Sequence, residues 1–494
     1  MTDTAIPTAE EVLARLDALR ATDAPTHGGR VLSYVYDSGR PELDELAARA
    51  ARAVQPVNGL DPTTFGSVAV MERELVGFAR EAFHAGDDVV GTVTSGGTES
   101  CILAVKTARD AWRARGGTGT PRLVAPTTVH AAFRKAAHLL GLDLDAVPVD
   151  PATGAPEASA MAARLGPDVA LAVVSAPSYP FATLDPVAEV AAAALEHGVD
   201  LHVDACIGGF ALAFWPTGVA PWDFRVPGVT SLSADLHKYG YAPKGASVLL
   251  QRGRDRQRLQ YFATTEWSGY PVVNPTLLGS KPAGPLAAAW AIVQVLGADG
   301  FAELSAQAAR ATSALVDAVG AIEGLRVVGA PTGPLLAVAT DPEAPEAQRV
   351  DPHRWADAVR ARGWQLQLQP GYLQPDGVAL PRTTHLTVTP VTESTLAGLL
   401  PALAAAADDV RGQPGLDGAA LLDGLGGAAA LGALDGGIDS DTAAGLLAGL
   451  GLIGGDGPAV PESLAPVLAL VEVLPAPLAE RLLVELLGRL VEPA

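Results

Sequence analysis

Between Asp88 and Leu250, short runs of β-branched residues alternate with Ala/Leu-rich helical stretches. No other feature constrains the chain as much, because parallel strands need crossover connections and the crossover helices must cover both faces of the sheet. Seven strands are expected, near Val89 to Thr94, Arg122 to Ala125, Ala146 to Val149, Val169 to Ser175, Asp200 to Asp204, Gly228 to Ser233 and Ala246 to Leu250. Ahead of them, Pro41 to Val54 and Ser67 to Phe83 read as amphipathic helices packed on the main body. Behind them, helical patterns at Pro285 to Val295 and Ala302 to Ile322 precede strands near Leu335 to Thr340 and Thr384 to Thr389, then a helix from Glu393 to Val410. The expected class is α/β, a mainly parallel seven-stranded sheet with helices on both faces, plus a smaller α+β domain. The divisions are an N-terminal helical segment (1–85), a large domain (86–262), a small domain (263–411) and a Gly/Ala/Leu-rich helical extension (412–494).

Composition narrows the function classes. Hydrophobic residues are 49% and charged residues 18% of the 494, enough apolar surface to fold most of the chain. Lys and Arg number 34 against 55 Asp and Glu, a net charge of −21, which repels phosphate backbones and anionic lipid. With no basic patch in the sequence, no nucleic-acid partner is expected. Cys101 and Cys206 are too few for a disulfide framework and lack the paired spacing of a zinc site, which suits a reducing cytosol and no metal. Met1 to Arg20 carries Glu10, Glu11 and Asp17 without a signal-type apolar core, and no run reaches roughly 18 uncharged apolar residues. A cytoplasmic protein without an integral membrane segment is the expectation. Between Arg411 and Arg481 lie nine acids and no base, and Leu478, Leu482, Leu486 and Leu490 share one helix face. That extension is expected to dock on the body or on a neighbouring subunit.

Four places carry chemistry. Thr94 to Ser100 (TSGGTES) follows a strand and opens a helix, so free N–H groups, glycines and hydroxyls there make a phosphate cradle. A Gly-Gly turn capped by Thr98 is the plainer alternative. Asp204 ends the apolar run Leu201-His202-Val203, at the strand end where ligands of open α/β sheets bind; an ordinary turn aspartate is the alternative. Lys238 stands in Ser231 to Gly240 at another strand end, and His130 at a strand-to-helix junction; a surface lysine and a structural histidine are the alternatives. All four fall at one end of one sheet, so one ligand explains them together. A phosphate cradle, an aromatic ring, an acid and a lysine are the groups that pyridoxal phosphate requires.

Thr94 to Ser100, Val203 to Phe210 (VDACIGGF) and Ser233 to Gly245 (SADLHKYGYAPKG) resemble the fold-type I pyridoxal-phosphate enzymes of the group II decarboxylase superfamily, most closely the sphingosine-1-phosphate lyase branch. The lyase-like part is Ala234-Asp235 before His237-Lys238 and Tyr241 to Lys244 after it. The likeness runs from about Val31 to about Leu296, thins through the small domain and does not cover the extension. It implies that Lys238 forms the Schiff base, Asp204 binds the ring nitrogen, His130 stacks on the ring, and Gly97, Thr98 and His237 hold the cofactor phosphate. It also implies a homodimer in which Gly279 and Ser280 reach the neighbouring site, with Lys244 and Tyr179 beside a small amine or amino-acid substrate.

Two departures stand out. The family's Gly-Ser-Arg-Pro-Gly reads Gly279-Ser280-Lys281-Pro282-Ala283-Gly284, which loses a planar bidentate phosphate contact, and its Asn-Pro-Leu-His reads Asn58-Gly59-Leu60-Asp61, an acid for a histidine. The anchoring helix of some members has no counterpart, so a lipid substrate is expected to arrive from solution or a membrane surface. The likeness implies a carbon–carbon lyase acting by retro-aldol chemistry on a 2-amino-3-hydroxy compound or its phosphate ester, with Lys244 as base for the 3-hydroxyl proton. An amino-acid decarboxylase, which needs no such base, is the alternative. A non-catalytic scaffold is opposed by the full set of cofactor residues, and a Rossmann dehydrogenase by the missing dinucleotide turn.

Overall fold

A computed structural model describes residues 6–424, 438–449, 452–454, 457–458 and 463–493. Helix α1 (Ala9–Arg20) is closed by a capping box between Thr8 and Glu11 and buries none of its residues. Helices α2 (Pro41–Ala53) and α3 (Gly66–Ala82) bury one face each, through Leu43 and Ala47 and through Val68, Met71, Leu75 and Ala79, against the long helix Gly284–Gly320.

The strands that follow are β1 (Val89–Thr94), β2 (Arg122–Pro126), β3 (Asp143–Val147), β4 (Val169–Ser175), β5 (Asp200–Asp204), β6 (Val229–Ala234) and β7 (Ser247–Arg252). They form one sheet in the order β1-β7-β6-β5-β4-β2-β3. Only β7 runs against its neighbours β1 and β6; every other pairing is parallel. β4 and β5 are buried along their whole length, as strands covered on both faces must be; β4 reads as an apolar run up to Ser175, while β5 buries Asp200, His202 and Asp204 beside Leu201 and Val203. The parallel strands are joined through helices that include α4 (Gly97–Ala114), α5 (Ala131–Leu140), α6 (Ala158–Ala162), α7 (Val187–His197) and α8 (Gly209–Leu212).

The third strand differs from its expected place at Ala146 to Val149. Val149 leaves the sheet, bridges Pro156, and has its N–H and C=O taken by the Gln374 side chain at 2.8 and 2.9 Å. Gly284–Gly320 holds the two helices expected between Pro285 and Ile322, separated by a kink at Gly297, whose φ of +54° suits glycine. This stretch is long and apolar enough by composition to cross a membrane, but half of its most apolar window is buried inside the protein, as in a core helix.

A second, antiparallel sheet runs in the order Leu325–Val327, Leu335–Thr340, Thr383–Thr387, Gln367–Gln369, and a separate core forms around Trp355, Leu336, Leu386 and Leu403. The extension docks on this small unit. Asp357 accepts from the N–H groups of Leu464 and Ala465 at 3.1 Å, capping the helix Ala465–Val473, and Arg382 pairs with Glu472 of the same helix. In the last helix, Ala476–Val491, Leu482 is buried while Leu490 is half exposed, so the expected leucine face is only partly covered.

Candidate active site

The carboxyl ends of β1, β4, β5 and β6 converge on one region, and the turns leaving them supply its side chains. After β1 the chain turns through Ser95 and Gly96 into α4. A Cβ on Gly96 would meet His237 Cε1 at 3.1 Å, and one on Gly97 would meet the Asp235 carboxylate at 2.7 Å and Cys206 Sγ at 3.0 Å. The helix start therefore lies flat against the β5 and β6 turns only because both positions are glycine. Its first-turn N–H groups lack helical partners, and the exposed Thr98 hydroxyl stands among them.

After β6, buried Asp235 accepts a charged hydrogen bond from Lys238 Nζ at 3.0 Å and lies 3.4 Å from His237 Nε2. Burial raises the Asp235 pKa, but Lys238 and His237 outweigh it and keep the carboxyl below its ordinary value. Burial likewise works to lower Lys238, and Asp235, with Tyr36, Cys206 and Asp204, overcomes it, so the amine is held above the usual lysine range. His237 is pushed down, first by burial, with Lys244 and Lys238 adding to it against Asp235, and its Nδ1 accepts from the N–H of Ala246 at 3.3 Å. Asp204 is buried at the end of β5, where its Oδ1 accepts from Cys206 N–H at 3.1 Å.

Lys244 returns to the same place. Its Nζ donates to the His237 carbonyl at 3.1 Å and stands 4.4 Å from the centre of the Tyr36 ring. Burial, then the neighbouring Lys238 charge, lower its pKa to about 8, although the side chain still reaches solvent at the rim.

Tyr36 was not singled out from sequence. It comes from an N-terminal segment that joins the small sheet, with Val31 bridging Gln365 and Leu32 N–H donating to Gln365 O at 2.8 Å. Its ring packs edge-on against Tyr239 at 5.3 Å, and burial, only partly offset by Lys238, pushes its hydroxyl up to about 12. Asp235, named from sequence only as part of the motif, was given no role there; its place three residues before Lys238, in the turn after β6, was the available signal. Tyr179, in the loop after β4, donates its hydroxyl to Gln367 Oε1 and stacks on His385 with ring centres 4.2 Å apart. Burial raises its pKa, with smaller contributions from Tyr36 and Tyr34.

Lys238 and His237 thus meet at Asp235, against which Gly97 packs, Lys244 joins through the His237 carbonyl, and Asp204 reaches the group through Cys206. His130 lies at the end of β2 as the exposed cap of α5, its Nδ1 accepting from Ala132 N–H at 3.2 Å. Gly279 and Ser280 are exposed, and Ser280 Oγ accepts from Asn58 Nδ2 at 3.2 Å; among the described residues neither bonds to the Gly97 turn of its own chain. Neighbouring Leu278 and Lys281 line a cavity of about 100 Å³ with Thr94, Ser95 and Gly245.

Residues 67–270 match the family model of the pyridoxal-dependent decarboxylase conserved domain, and residues 419–489 match a C-terminal HTH domain proposed for pyridoxal-dependent enzymes. Sphingosine-1-phosphate lyase 1 of Rattus norvegicus is 35% identical over 383 residues, 77% of this chain and 64% of the relative, so the chain spans under two thirds of that relative's length. Sphingosine-1-phosphate lyase of Oryza sativa subsp. japonica is 32% identical over 427 residues, 83% of this chain and 76% of the relative. Among solved structures, a Burkholderia pseudomallei sphingosine-1-phosphate lyase superposes with a TM-score of 0.75 at 32% identity, covering 83% of this chain and 93% of that one. A Lactobacillus brevis glutamate decarboxylase, 20% identical with a TM-score of 0.72, shares the fold. The glycine turn, the aspartate strand and the His237-Lys238 loop lie within the residues 67–270 that the family model matches, and the chain belongs to the sphingosine-1-phosphate lyase family of pyridoxal-phosphate-dependent enzymes.

Proposed function

We propose that the chain is a carbon–carbon lyase that cleaves a 2-amino-3-hydroxy compound or its phosphate ester by retro-aldol chemistry. The residues at the carboxyl edge fit pyridoxal phosphate. The glycine turn has no room for a Cβ, the Asp235 Oδ1 and Thr128 hydroxyl are buried without partners, and Asp204 keeps an oxygen beyond the one bonded to Cys206. In this reading Lys238 carries the cofactor aldehyde, Asp204 pairs with its ring nitrogen, His130 covers the ring, and Gly97, Thr98 and His237 hold its phosphate. The bound cofactor supplies an electron sink for the carbanion left at the substrate's Cα.

Lys244 is the observation that carries the lyase reading. A second lysine amine beside Lys238, held by the His237 carbonyl and lowered to about 8, is a base for a 3-hydroxyl proton, which decarboxylation does not need. Its Nζ takes that proton as the carbon–carbon bond opens, and Tyr179 and Tyr36 wall the substrate side. Asp61 contributes no donor for a substrate phosphate: its carboxylate accepts from the Thr63 and Thr64 hydroxyls at 2.6 and 2.7 Å, which hold it ionised at about 2. Product analysis on a 2-amino-3-hydroxy amine and its phosphate ester tests the reading. Release of an aldehyde is expected; carbon dioxide from an amino acid lacking a 3-hydroxyl overturns it in favour of a decarboxylase.

The same reading includes a homodimer. Phe262, Trp267, Tyr270, Val273, Leu277 and Leu278, all 41–59% exposed, form an apolar run that leads into Gly279 and Ser280. A second copy seated there buries that run and brings Ser280 to the neighbouring cradle. Sedimentation of the holoenzyme is expected to show no stable monomer, and an active monomer contradicts the arrangement. For the extension we infer a protein contact rather than a nucleic-acid one, since residues 419–489 hold nine acids and two bases.

A further inference from the structure

One pair at the sheet edge has no part in the chemistry above. The chain has two cysteines, and the fold brings them together: Cys101 in the second turn of α4, and Cys206 two residues beyond Asp204. Their sulfurs and an Asp204 carboxylate oxygen lie within 4.8 Å of one another, and both cysteines are buried. Cys206 Sγ also lies 3.1 Å from Ser233 Oγ, which in turn is 3.0 Å from Nε2 of the buried His202. Buried cysteines usually serve as small apolar side chains. Here two of them face one another from different elements, with a hydroxyl beside one sulfur.

We propose that Cys101 and Cys206 form a dithiol site that closes to an intramolecular disulfide when a small peroxide reaches it. One sulfur attacks a peroxide oxygen, the O–O bond breaks, and a sulfenic acid and one water result. The second sulfur then attacks the sulfenic sulfur, and its S–H proton leaves with the hydroxyl as a second water. The two thiols lose two electrons together, and the peroxide gains them.

Closure has a direction. The start of α4 is already pressed against Cys206 and Asp235 at Gly97, so the movable partner is the loop that carries Cys206. That loop's N–H holds Asp204 Oδ1 at 3.1 Å, and drawing Cys206 toward Cys101 disturbs the carboxylate and the Ser233 contact. The effect on the cofactor rests on the reading of Asp204 given above; the bond itself does not. In the resting protein both thiols are held above their ordinary pKa. For Cys101, the neighbouring Cys206 thiol works to lower it, and burial with the Asp204 and Asp235 charges together outweighs that; for Cys206, the neighbouring Cys101 thiol and then burial both raise it. Both thiols are therefore protonated at neutral pH, and because the thiolate is the attacking form the link is expected to form faster as pH rises.

The test treats full-length protein, with and without pyridoxal phosphate, with hydrogen peroxide. The protein is then alkylated after unfolding, and intact mass and cross-linked peptides are read. The expected result is a loss of two hydrogens, no alkylation of either cysteine, one Cys101–Cys206 linked peptide pair, and reversal by a dithiol reductant. Cofactor uptake by the oxidised protein is expected to weaken by about 10-fold, the scale of one charge-assisted hydrogen bond. Cys101→Ala is expected to form no link and to keep its uptake under peroxide. Both thiols still open to alkylation, or oxygen added to cysteine without a link, overturns the proposal. A link with undiminished uptake overturns the coupling to Asp204. Asp204→Asn, measured alongside, separates that outcome from a failure of the Asp204 reading, because uptake unchanged there removes the reading itself.

Discussion

The site has two sides that differ in origin. The carboxyl edge of the parallel sheet contributes Gly97, Asp204, Asp235, His237 and Lys238, each within a few residues of a strand end. The opposite wall is assembled from distant pieces: Tyr36 from the N-terminal segment, Tyr179 from the loop after β4, and Gln367 and His385 from the small sheet. The edge is charged and paired, while the wall consists of rings and neutral groups. Burial lowers His385 to about 3 and so keeps its imidazole neutral at physiological pH. In the proposed reading the edge binds the cofactor and the wall chooses the bond, with Lys244 between them.

The largest expected effect is at the edge. Lys238→Ala removes the amine paired with Asp235 and is expected to abolish turnover and the yellow colour of the holoenzyme. Borohydride reduction followed by peptide mapping checks the assignment, and a pyridoxyl label on Lys244 would break the division between the two sides.

Lys244→Ala is next. Loss of a general base costs roughly 10²- to 10⁴-fold in rate, while cofactor content, which depends on the edge, is expected to persist. A base works deprotonated, so the wild-type rate should climb as pH passes about 8 and level off above it, and the variant should lose that limb. Cofactor lost in parallel with activity would move Lys244 to the edge.

On the wall, Tyr36→Phe keeps the ring under Lys244 Nζ and removes the hydroxyl. The Lys244 contact with the ring survives, so the expected cost is about 10-fold or less in kcat/KM, the scale of one hydroxyl lost from the substrate side, with cofactor absorbance unchanged. Steady-state kinetics beside the visible spectrum decide it; a bleached spectrum would place Tyr36 with the cofactor.

The smallest effect concerns stability. Asp185 is buried beneath the edge, accepts from Ser175 N–H at 2.7 Å, and is raised by burial to about 7. Its folded pKa exceeds the unfolded one, so its contribution is complete below about 4 and is lost as pH rises through about 7. Asp185→Asn keeps the acceptor and removes the charge; it should melt higher than wild type above pH 7 and alike near pH 4, as a thermal series across pH will show.

The two sides also differ in how far they could be read from sequence. Strands β1, β4 and β5 fall where expected: β4, buried on both faces, is apolar up to Ser175, β1 is rich in β-branched residues, and β5 is marked by Leu201 and Val203 before Asp204. The edge residues were legible because strand ends in such a sheet point to one place. β3 was misplaced because Val149 is held by Gln374, a contact between residues far apart in the chain. Tyr36 was missed for the same kind of reason: its position follows from Val31 pairing with Gln365. Cys101 and Cys206 looked unpaired, because sequence spacing carries no information about two elements meeting across a sheet.

From the sequence alone come the sheet, the family likeness and the inventory of the cofactor edge, because periodicity and strand-end motifs are local properties that neighbouring residues enforce. Only the tertiary structure decided that Asp235 neutralises Lys238, that Lys244 reaches the His237 carbonyl beneath Tyr36, and that two cysteine sulfurs lie beside Asp204. Those contacts join residues through strand order, register and the docking of one core on another, and such long-range packing sets the desolvation and charge pairing on which each group's chemistry depends.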